Sequence, residues 1–439
     1  MGSKGNVKAK KRAYISRNWK VATPIPVVSL FWRITHEFKT SFGRVLDMGA
    51  GDCRFARGVK FQSYVGVEID QRISADIQSA KVSYLHGCVF EHSGNDYDAC
   101  IGNPPYLRHN EIENTWRQKM IWRFDNTLGM TLDRRSNLYL YFFLLGLQKT
   151  KMNGIVSVLV PYEWAFIPSA KSLRDYIEMN GWSVFVYRLN YSVFKGVQTT
   201  ASVSIVDKSD NRGTWEYFDI DKGGIITQVP SFTESGQSPL EHGTRGRVWA
   251  MRGLSPGTNK VFTLTEGERV EANLTKKDVR ACIISLKELP SKLTVLDNAN
   301  FKKYFVSKNK KCWLIRTDKK PTSALKKYLR KIPEEKRSTW TCQNQTPWYR
   351  YKPHRAPKLL FGPAFKKANP LILFNKIKAI AVGSVIGIHT QSIENMNALH
   401  KKLRKYDFSS RLVPRDRGLK VIAVKQVNTV LNSLVKNPE

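Results

Sequence analysis

Acidic residues are scarce in this chain. Asp and Glu number 36 against 72 Lys and Arg, which leaves a formal charge of +36 over 439 residues. Such a surplus is far beyond what solubility requires and points to a polyanionic partner. Cysteine is sparse too. Cys53, Cys88, Cys100, Cys282, Cys312 and Cys342 are scattered, with no CxxC pair, which argues against a disulfide framework and suits a reducing cytoplasm. No apolar stretch follows the basic N-terminus, so no secretory signal is expected. The longest apolar run, Leu138 to Leu147, is too short to span a bilayer and contains Tyr139 and Tyr141; it reads as a buried helix. Internal repeats, long low-complexity stretches and an endonuclease constellation of the PD…(D/E)xK kind are also missing.

What is present suffices for ordinary cores, at 41% hydrophobic and 11% aromatic, and the length suits about two or three domains. The charge is uneven. Residues 301–439 hold 32 Lys and Arg against 7 Asp and Glu, so 25 of the 36 net charges lie in the last third. The chemistry-bearing motifs lie in the first third. Residues 1–235 are therefore expected to form a catalytic domain and residues 236–439 a nucleic-acid-binding one. The Gly-, Ser-, Thr- and Asp-rich residues 207–246 read as the connecting region.

The stretch Asp98-Ala99-Cys100-Ile101-Gly102-Asn103-Pro104-Pro105-Tyr106 reads as a buried strand ending in a stiff polar tip. Each proline fixes its own φ and keeps the residue before it extended. Asn103 and Pro104 thus have one backbone shape before any ligand arrives. The Asn103 amide oxygen and the Pro104 carbonyl are two acceptors suited to a planar amino group with two N–H donors. Tyr106 adds a flat face on which a ring can stack.

Upstream, Ala22-Thr23-Pro24 and the apolar spacing from Val27 to Phe38 predict a helix that starts at Thr23. Val45 and Leu46 end a strand, and Asp47-Met48-Gly49-Ala50-Gly51 makes a tight turn into a helix near Phe55. Arg54 stands where a dinucleotide fingerprint has its third glycine, which weakens that reading. A second strand, Tyr64 to Asp70, ends in an acid about 20 residues on, where such folds bind a ribose diol. Glu68, beside Ile69, is the expected ribose ligand and Asp70 a helix cap. Tyr84 to Phe90 ends a third strand and carries Cys88 and Val89. The spacing of His86, Cys88 and His92 matches no usual structural zinc site, so no metal is expected.

Residues 107–136, with Arg108 near their start, read as polar and irregular. A helix over Asn137–Leu147, a strand over Ile155–Val160, a helix over Leu173–Met179 and strands over Phe185–Leu189 and Ser202–Val206 follow. This alternation predicts an α/β fold with a parallel sheet, helices on both faces, and the last two strands as an antiparallel edge. Later the pattern is irregular, with short strands at Leu371–Phe374 and Ala379–Ile388. There Trp348, Tyr349, Arg350 and Arg355 interleave aromatics with bases, a composition suited to nucleic acid.

In order and spacing these motifs resemble the gamma-order, TaqI-like DNA adenine-N6 methyltransferases of restriction-modification systems. The likeness covers about residues 21–206 with specific motifs. From about residue 250 it is looser, carried by Arg252 to Gly257 and Lys260-Val261-Phe262. Asn-Pro-Pro-Tyr is the signature of enzymes that methylate amino groups using S-adenosylmethionine. The resemblance implies a Rossmann-like, S-adenosylmethionine-dependent methyltransferase domain followed by a mixed α+β, basic target-recognition domain. It implies double-stranded DNA as partner, a separate restriction endonuclease as functional counterpart, no membrane, and a prokaryotic or phage-encoded cytoplasmic protein.

The same resemblance implies roles for residues. Asn103, Pro104, Pro105 and Tyr106 would surround an adenine swung out of the duplex, with Phe194, from Val193-Phe194-Lys195-Gly196, packing on its other side. Thr23, Asp47, Met48, Gly49, Ala50, Gly51, Glu68, Ile69, Cys88 and Val89 would hold the cofactor, with Asp47 facing its ammonium and sulfonium charges. Arg108, Lys195, Trp348, Tyr349, Arg350 and Arg355 would touch DNA. Cys88 departs from the family pattern, which commonly has an acid there for the cofactor's adenine amino group; a thiol accepts weakly. Related tetrapeptides occur in RNA and protein amino-methyltransferases and, usually as Ser-Pro-Pro, in cytosine-N4 methyltransferases. The large basic C-terminal part argues against the first group. The intact Asn103 to Tyr106 argues against an inactive, DNA-binding relative.

Overall fold

The computed structural model describes residues 22–77, 79–191, 193–194, 200–230, 245–337, 339–390, 395–412 and 419–436. They form two compact units that part near residue 235.

The first unit opens with helix α1, Ile25–His36, which buries Val27, Val28, Leu30, Phe31, Trp32 and Ile34. Pro24, not Thr23, is its N-cap, and no side chain caps the helix. The strands and helices that follow are β1 (Phe42–Met48), β2 (Phe61–Glu68), β3 (Val82–His86), β4 (Tyr97–Gly102), α2 (Asn114–Leu128), α3 (Leu138–Lys149), β5 (Thr150–Pro161), α4 (Lys171–Met179), β6 (Ser183–Leu189), β7 (Ala201–Asp207), β8 (Trp215–Ile220) and β9 (Ile226–Val229). The strands form one mixed sheet in the order β3-β2-β1-β4-β5-β7-β6-β8-β9. The first five run parallel. The α/β character expected of this part is present.

Four local expectations differ from the structure. First, the antiparallel strand is not an edge: β7 lies between β5 and β6 and runs against both. Six of its seven residues are buried, as an interior strand requires. Second, residues 215–229 are not a linker, because β8 continues the sheet parallel to β6 and β9 closes it. Third, the crossover after β1 has one short turn, Arg54–Ala56, in place of a helix near Phe55, and Gly58 ends it at a φ of +75°. No helix lies between β2 and β3 among the described residues, so Asp70 caps none. Fourth, the polar stretch 107–136 contains the 15-residue helix α2, which buries only Met120 and Phe124 and stops at Gly129 with φ +63°.

Helix α3 is buried along nearly its whole length. Gly146 lets it approach the sheet closely: a Cβ there would come within 3.0 Å of both the Met48 and Val156 side chains. Trp32 of α1 donates its indole N–H to the Phe55 carbonyl at 2.7 Å, fixing the turn after β1 to the helix before it.

The second unit is assembled from short strands: β10 (Val248–Arg252), β11 (Thr263–Leu264), β12 (Val279–Ile283), β13 (Val295–Leu296), β14 (Trp313–Ile315), β15 (Leu359–Phe361), β16 (Ala364–Phe365), β17 (Ile372–Asn375), β18 (Ile380–Ala381), β19 (Ile386–Thr390) and β20 (Lys420–Val421). They make sheets β10-β19-β15-β17-β13 and β11-β14-β12-β18 and a β16-β20 pair. The run expected at Ala379–Ile388 is broken at Gly383, φ +67°, into β18 and β19. Helices α5 (Ser323–Arg330), α6 (Met396–Lys405) and α7 (Val424–Lys436) bury Leu325, Leu329, Leu403, Val427 and Leu431 against these sheets. Asn428 of α7 accepts from the Ala250 amide at 2.7 Å, which ties that helix to β10.

Candidate functional site

Strands β1, β2, β3 and β4 end level: Met48 pairs with Val67, Glu68 with His86 and Asp47 with Ile101. The chain leaves β1 toward β2 and β3 on one side, while β4 and β5 lie on the other. Such a reversal opens a crevice at the carboxyl ends of the strands. Asp47, Glu68 and, directly after β4, Asn103 come to that end.

Asp47 sits one residue before the end of β1 and is 1% exposed. The Tyr64 hydroxyl donates to its Oδ2 at 2.5 Å. Its Oδ1 is buried without a hydrogen-bond partner among the described residues. Burial pushes the carboxyl up to about 7; the Tyr64 hydrogen bond pulls the other way, and the nearby Glu68 and Asp52 charges add to the rise. A buried anion in this setting is costly until a cation reaches it.

The turn after Asp47 is held by the neighbouring strand. The Gly49 and Ala50 amides both donate to the Val67 carbonyl at 3.0 Å. Gly49 and Gly51 take φ of +80° and +57°, and a Cβ on Gly51 would meet nothing within 4 Å. The Gly51 amide donates to Glu68 Oε2 at 3.0 Å and the Asp70 amide to Oε1 at 2.8 Å. Glu68 therefore spans the turn and its own strand end. Asp70 pairs with Arg72 at 2.9 Å. Ile69, 54% exposed, leaves an apolar side chain on the surface next to this acid. Cys88 follows β3, half-buried, its thiol pushed up by burial. Val89 is buried.

At the end of β4, Gly102 has φ +149°, and a Cβ there would lie 2.7 Å from the Met48 carbonyl and 3.3 Å from Asp47 Oδ1. The strand passes the turn at a distance only glycine allows. Asn103 follows at once. Its Nδ2 donates to the Thr23 hydroxyl at 3.0 Å, which leaves its oxygen uncommitted among the described residues. Thr23 is 4% exposed, and its carbonyl accepts from Arg54 at 2.5 Å, while Arg54 Nε also donates to Asp52 at 2.8 Å. Tyr106 donates its hydroxyl to the Leu159 carbonyl at 3.0 Å. Its ring meets Phe194 edge-on, with centroids 6.4 Å apart at 83°, and Tyr139 at 6.0 Å and 72°.

Sequence reasoning missed Tyr64 and Arg54. Tyr64 was one apolar letter in a strand, and no pattern announces a hydroxyl aimed at a neighbouring strand. Arg54 stands where a dinucleotide fingerprint has a glycine, and Asp52 two residues before it is the sequence signal for its local ion pair.

The DNA-contact candidates are spread more widely. Arg108 is exposed, and its amide donates to Glu111 at 3.0 Å. Lys195 lies outside the described residues. Trp348 and Tyr349 are half-buried against the core of the second unit; Trp348 meets Phe262 edge-on at 6.1 Å, and the Arg337 guanidinium lies 5.4 Å from its ring. Arg350 and Arg355 are exposed. No described helix is long and apolar enough to cross a membrane. Among the described residues, no group of three or more His, Cys, Asp or Glu is arranged to hold a metal ion.

An unpartnered buried carboxylate oxygen, an open glycine turn and a second carboxylate at the adjacent strand end fit a cofactor with a positive centre and a diol, such as S-adenosylmethionine. Residues 58–194 match the family described as Eco57I restriction-modification methylase, a span that takes in Glu68, Cys88, Asn103 to Tyr106 and Phe194. Residues 249–404 match the family described as Type II methyltransferase M.Eco57I, C-terminal domain. Type II methyltransferase M.AccI from Acinetobacter calcoaceticus is 22% identical over 316 residues, 64% of this chain and 57% of the relative. Type II methyltransferase M.XamI from Xanthomonas campestris pv. amaranthicola is 26% identical over 258 residues, 53% of this chain and 46% of the relative. The chain thus spans about half the length of these curated relatives. The solved type IIG restriction endonuclease BpuSI is similar at a TM-score of 0.42 and 11% identity, over 95% of this chain and 59% of that one. Two successive segments of the chain are thus similar to Eco57I-type restriction-modification methylases.

Proposed function

We propose that this protein is the modification methyltransferase of a type II restriction-modification system, gamma-order in its motif order, which methylates N6 of an adenine turned out of duplex DNA. The observation that carries this reading is the Asn103 carboxamide, held through its nitrogen by Thr23 at the tip of β4. With the nitrogen engaged, the oxygen and the adjacent Pro104 carbonyl remain as acceptors, the complement of an amino group. The type II methyltransferases among the relatives support the same reading.

Asp47, the 49–51 turn, Glu68 and Ile69 would hold S-adenosylmethionine, which supplies an activated methyl group and departs as a neutral thioether. Asn103 Oδ1 and the Pro104 carbonyl accept hydrogen bonds from the two N6–H groups. Acceptors lying off the ring plane draw the nitrogen lone pair out of conjugation with the ring, toward the methyl group. N6 gains positive charge as it is alkylated, so its surplus proton leaves without a strong base. Catalysis here is positioning and electrostatics. Tyr106 supplies the stacking face that offsets part of the cost of unpairing.

Methyl transfer to duplex DNA with product nucleoside analysis tests the reading. The expected product is N6-methyladenine, and Asn103→Ala is expected to abolish transfer while leaving cofactor binding nearly intact. N4-methylcytosine as the product, or a variant turnover within about tenfold (1.4 kcal/mol) of wild type, overturns it.

A further inference from the structure

The second unit contains a pocket lined by Lys277, Arg316, Lys319, Lys320, Asp278 and Thr322. Four of these side chains are cations and one is an anion. The anion is already occupied. Asp278 is 3% exposed; the Thr322 hydroxyl donates to its Oδ1, and the Thr275 amide and hydroxyl donate to its Oδ2 at 2.8 Å each. Lys277, Arg316, Lys319 and Lys320 form no ion pair among the described residues, whereas neighbouring Lys276 and Arg280 are paired with Glu266 and Asp318. The lining therefore carries a surplus of three positive charges.

The pocket also stands on a rigid frame. Asp278 immediately precedes β12 and Arg316 immediately follows β14, and these strands pair at Val279 and Ile315. The Arg316 amide donates to the Asp278 carbonyl at 2.8 Å. Thr322 is the N-cap of α5, accepting from the Leu325 amide at 3.2 Å, so the positive end of that helix faces the same place. Lys277, Lys319 and Lys320 are exposed, which admits an anion belonging to a large partner.

We propose that this pocket seats a backbone phosphate of the duplex, an interaction that rests on the DNA-methyltransferase reading and was not among the DNA-binding candidates named from the sequence. A phosphate contact of this kind positions the protein without reading sequence. Its signature is counterion release: the log–log dependence of affinity on salt is about −0.9 per phosphate neutralised.

The test uses the full chain and a fluorescent duplex, with anisotropy followed across a potassium chloride series. Lys319→Ala/Lys320→Ala is expected to flatten the slope by about 0.9 for each phosphate no longer neutralised and to weaken binding on unrelated duplexes alike, with an unchanged melting temperature. Lys366→Ala/Lys367→Ala, which removes two exposed lysines elsewhere in the same unit, is expected to leave the slope close to wild type. Equal slopes for the 319/320 variant and wild type overturn the site, as does an equal flattening in the two double variants, which would assign the effect to bulk charge. Inorganic phosphate protecting the wild type thermally at millimolar concentration, with duplex affinity unaffected by the 319/320 change, would make this a small-anion site and also overturns the proposal. A wild type that holds no duplex overturns this proposal and the methyltransferase reading together.

Discussion

The Asn103 carboxamide nitrogen donates to the Thr23 hydroxyl oxygen across 3.0 Å. The two residues are 80 positions apart, and the bond decides which end of the amide is left over. Without it the amide is free to turn, and half of its orientations offer N–H groups to an incoming amino group, donor against donor. Thr23→Val keeps the shape and removes the acceptor. A net hydrogen bond of about 1 kcal/mol corresponds to a several-fold to tenfold fall in kcat, with cofactor affinity and melting temperature nearly unchanged and activity restored in Thr23→Ser. Single-turnover kinetics on the three proteins decides it; a valine variant as fast as wild type shows that Thr23 does not orient the amide.

Glu68 accepts from the Gly51 and Asp70 amides, so it orders the turn, and the proposed reading makes it the ribose ligand as well. Glu68→Ala is expected to weaken S-adenosylmethionine binding by at least about tenfold, or 1.4 kcal/mol, while the protein still folds. Calorimetry reads this directly, and an unchanged dissociation constant refutes the ribose assignment.

Asp47 makes the apo protein and the cofactor complex respond to pH in opposite senses. Its carboxyl is raised from 3.8 to about 7 by burial, so the folded state holds that proton more tightly than the unfolded chain. The resulting stability is complete below about pH 4 and is lost as pH rises through about 7. Wild type is therefore expected to lose melting temperature between about pH 5 and 8 relative to Asp47→Asn. A cationic ligand selects the ionised carboxylate. Cofactor affinity is expected to rise by up to about tenfold per pH unit and to level off above about 7, with a flatter profile in Asp47→Asn. Parallel melting curves for the two proteins would show that Asp47 does not titrate in this range.

Much of the first unit was legible because its strands are short apolar runs with distinct chemistry at their ends: Asp47, Glu68 and Asn103 each lie within one residue of a strand's end. Parallel pairing then brings those ends to one side. Helix α2 was not legible, since a helix that buries only Met120 and Phe124 presents no apolar stripe. Strands β8 and β9 were hidden for the same reason: little of either is buried, and β9 not at all. The place of β7 inside the sheet depends on a return path no local pattern records. At the site, the contacts of Thr23 with Asn103 and of Tyr64 with Asp47 join residues from different elements, and propensity assigned Thr23 to capping a helix that begins without it. The aromatic geometry was likewise beyond the sequence. A base between Tyr106 and Phe194 needs about 7 Å between parallel faces, two stacking distances of about 3.5 Å, and the rings meet edge-on at 6.4 Å.

Gly102 has a mechanical meaning beyond its backbone freedom. The end of β4 rides so close to the end of β1 that one added methyl group would strike the Met48 carbonyl. The amide tip and the glycine turn consequently share a single fulcrum. A displacement of either strand end would have to move the other, because no side chain can enter between them. Where a reaction depends on alignment to within a fraction of an ångström, that common mounting is worth more than rigidity of either loop alone.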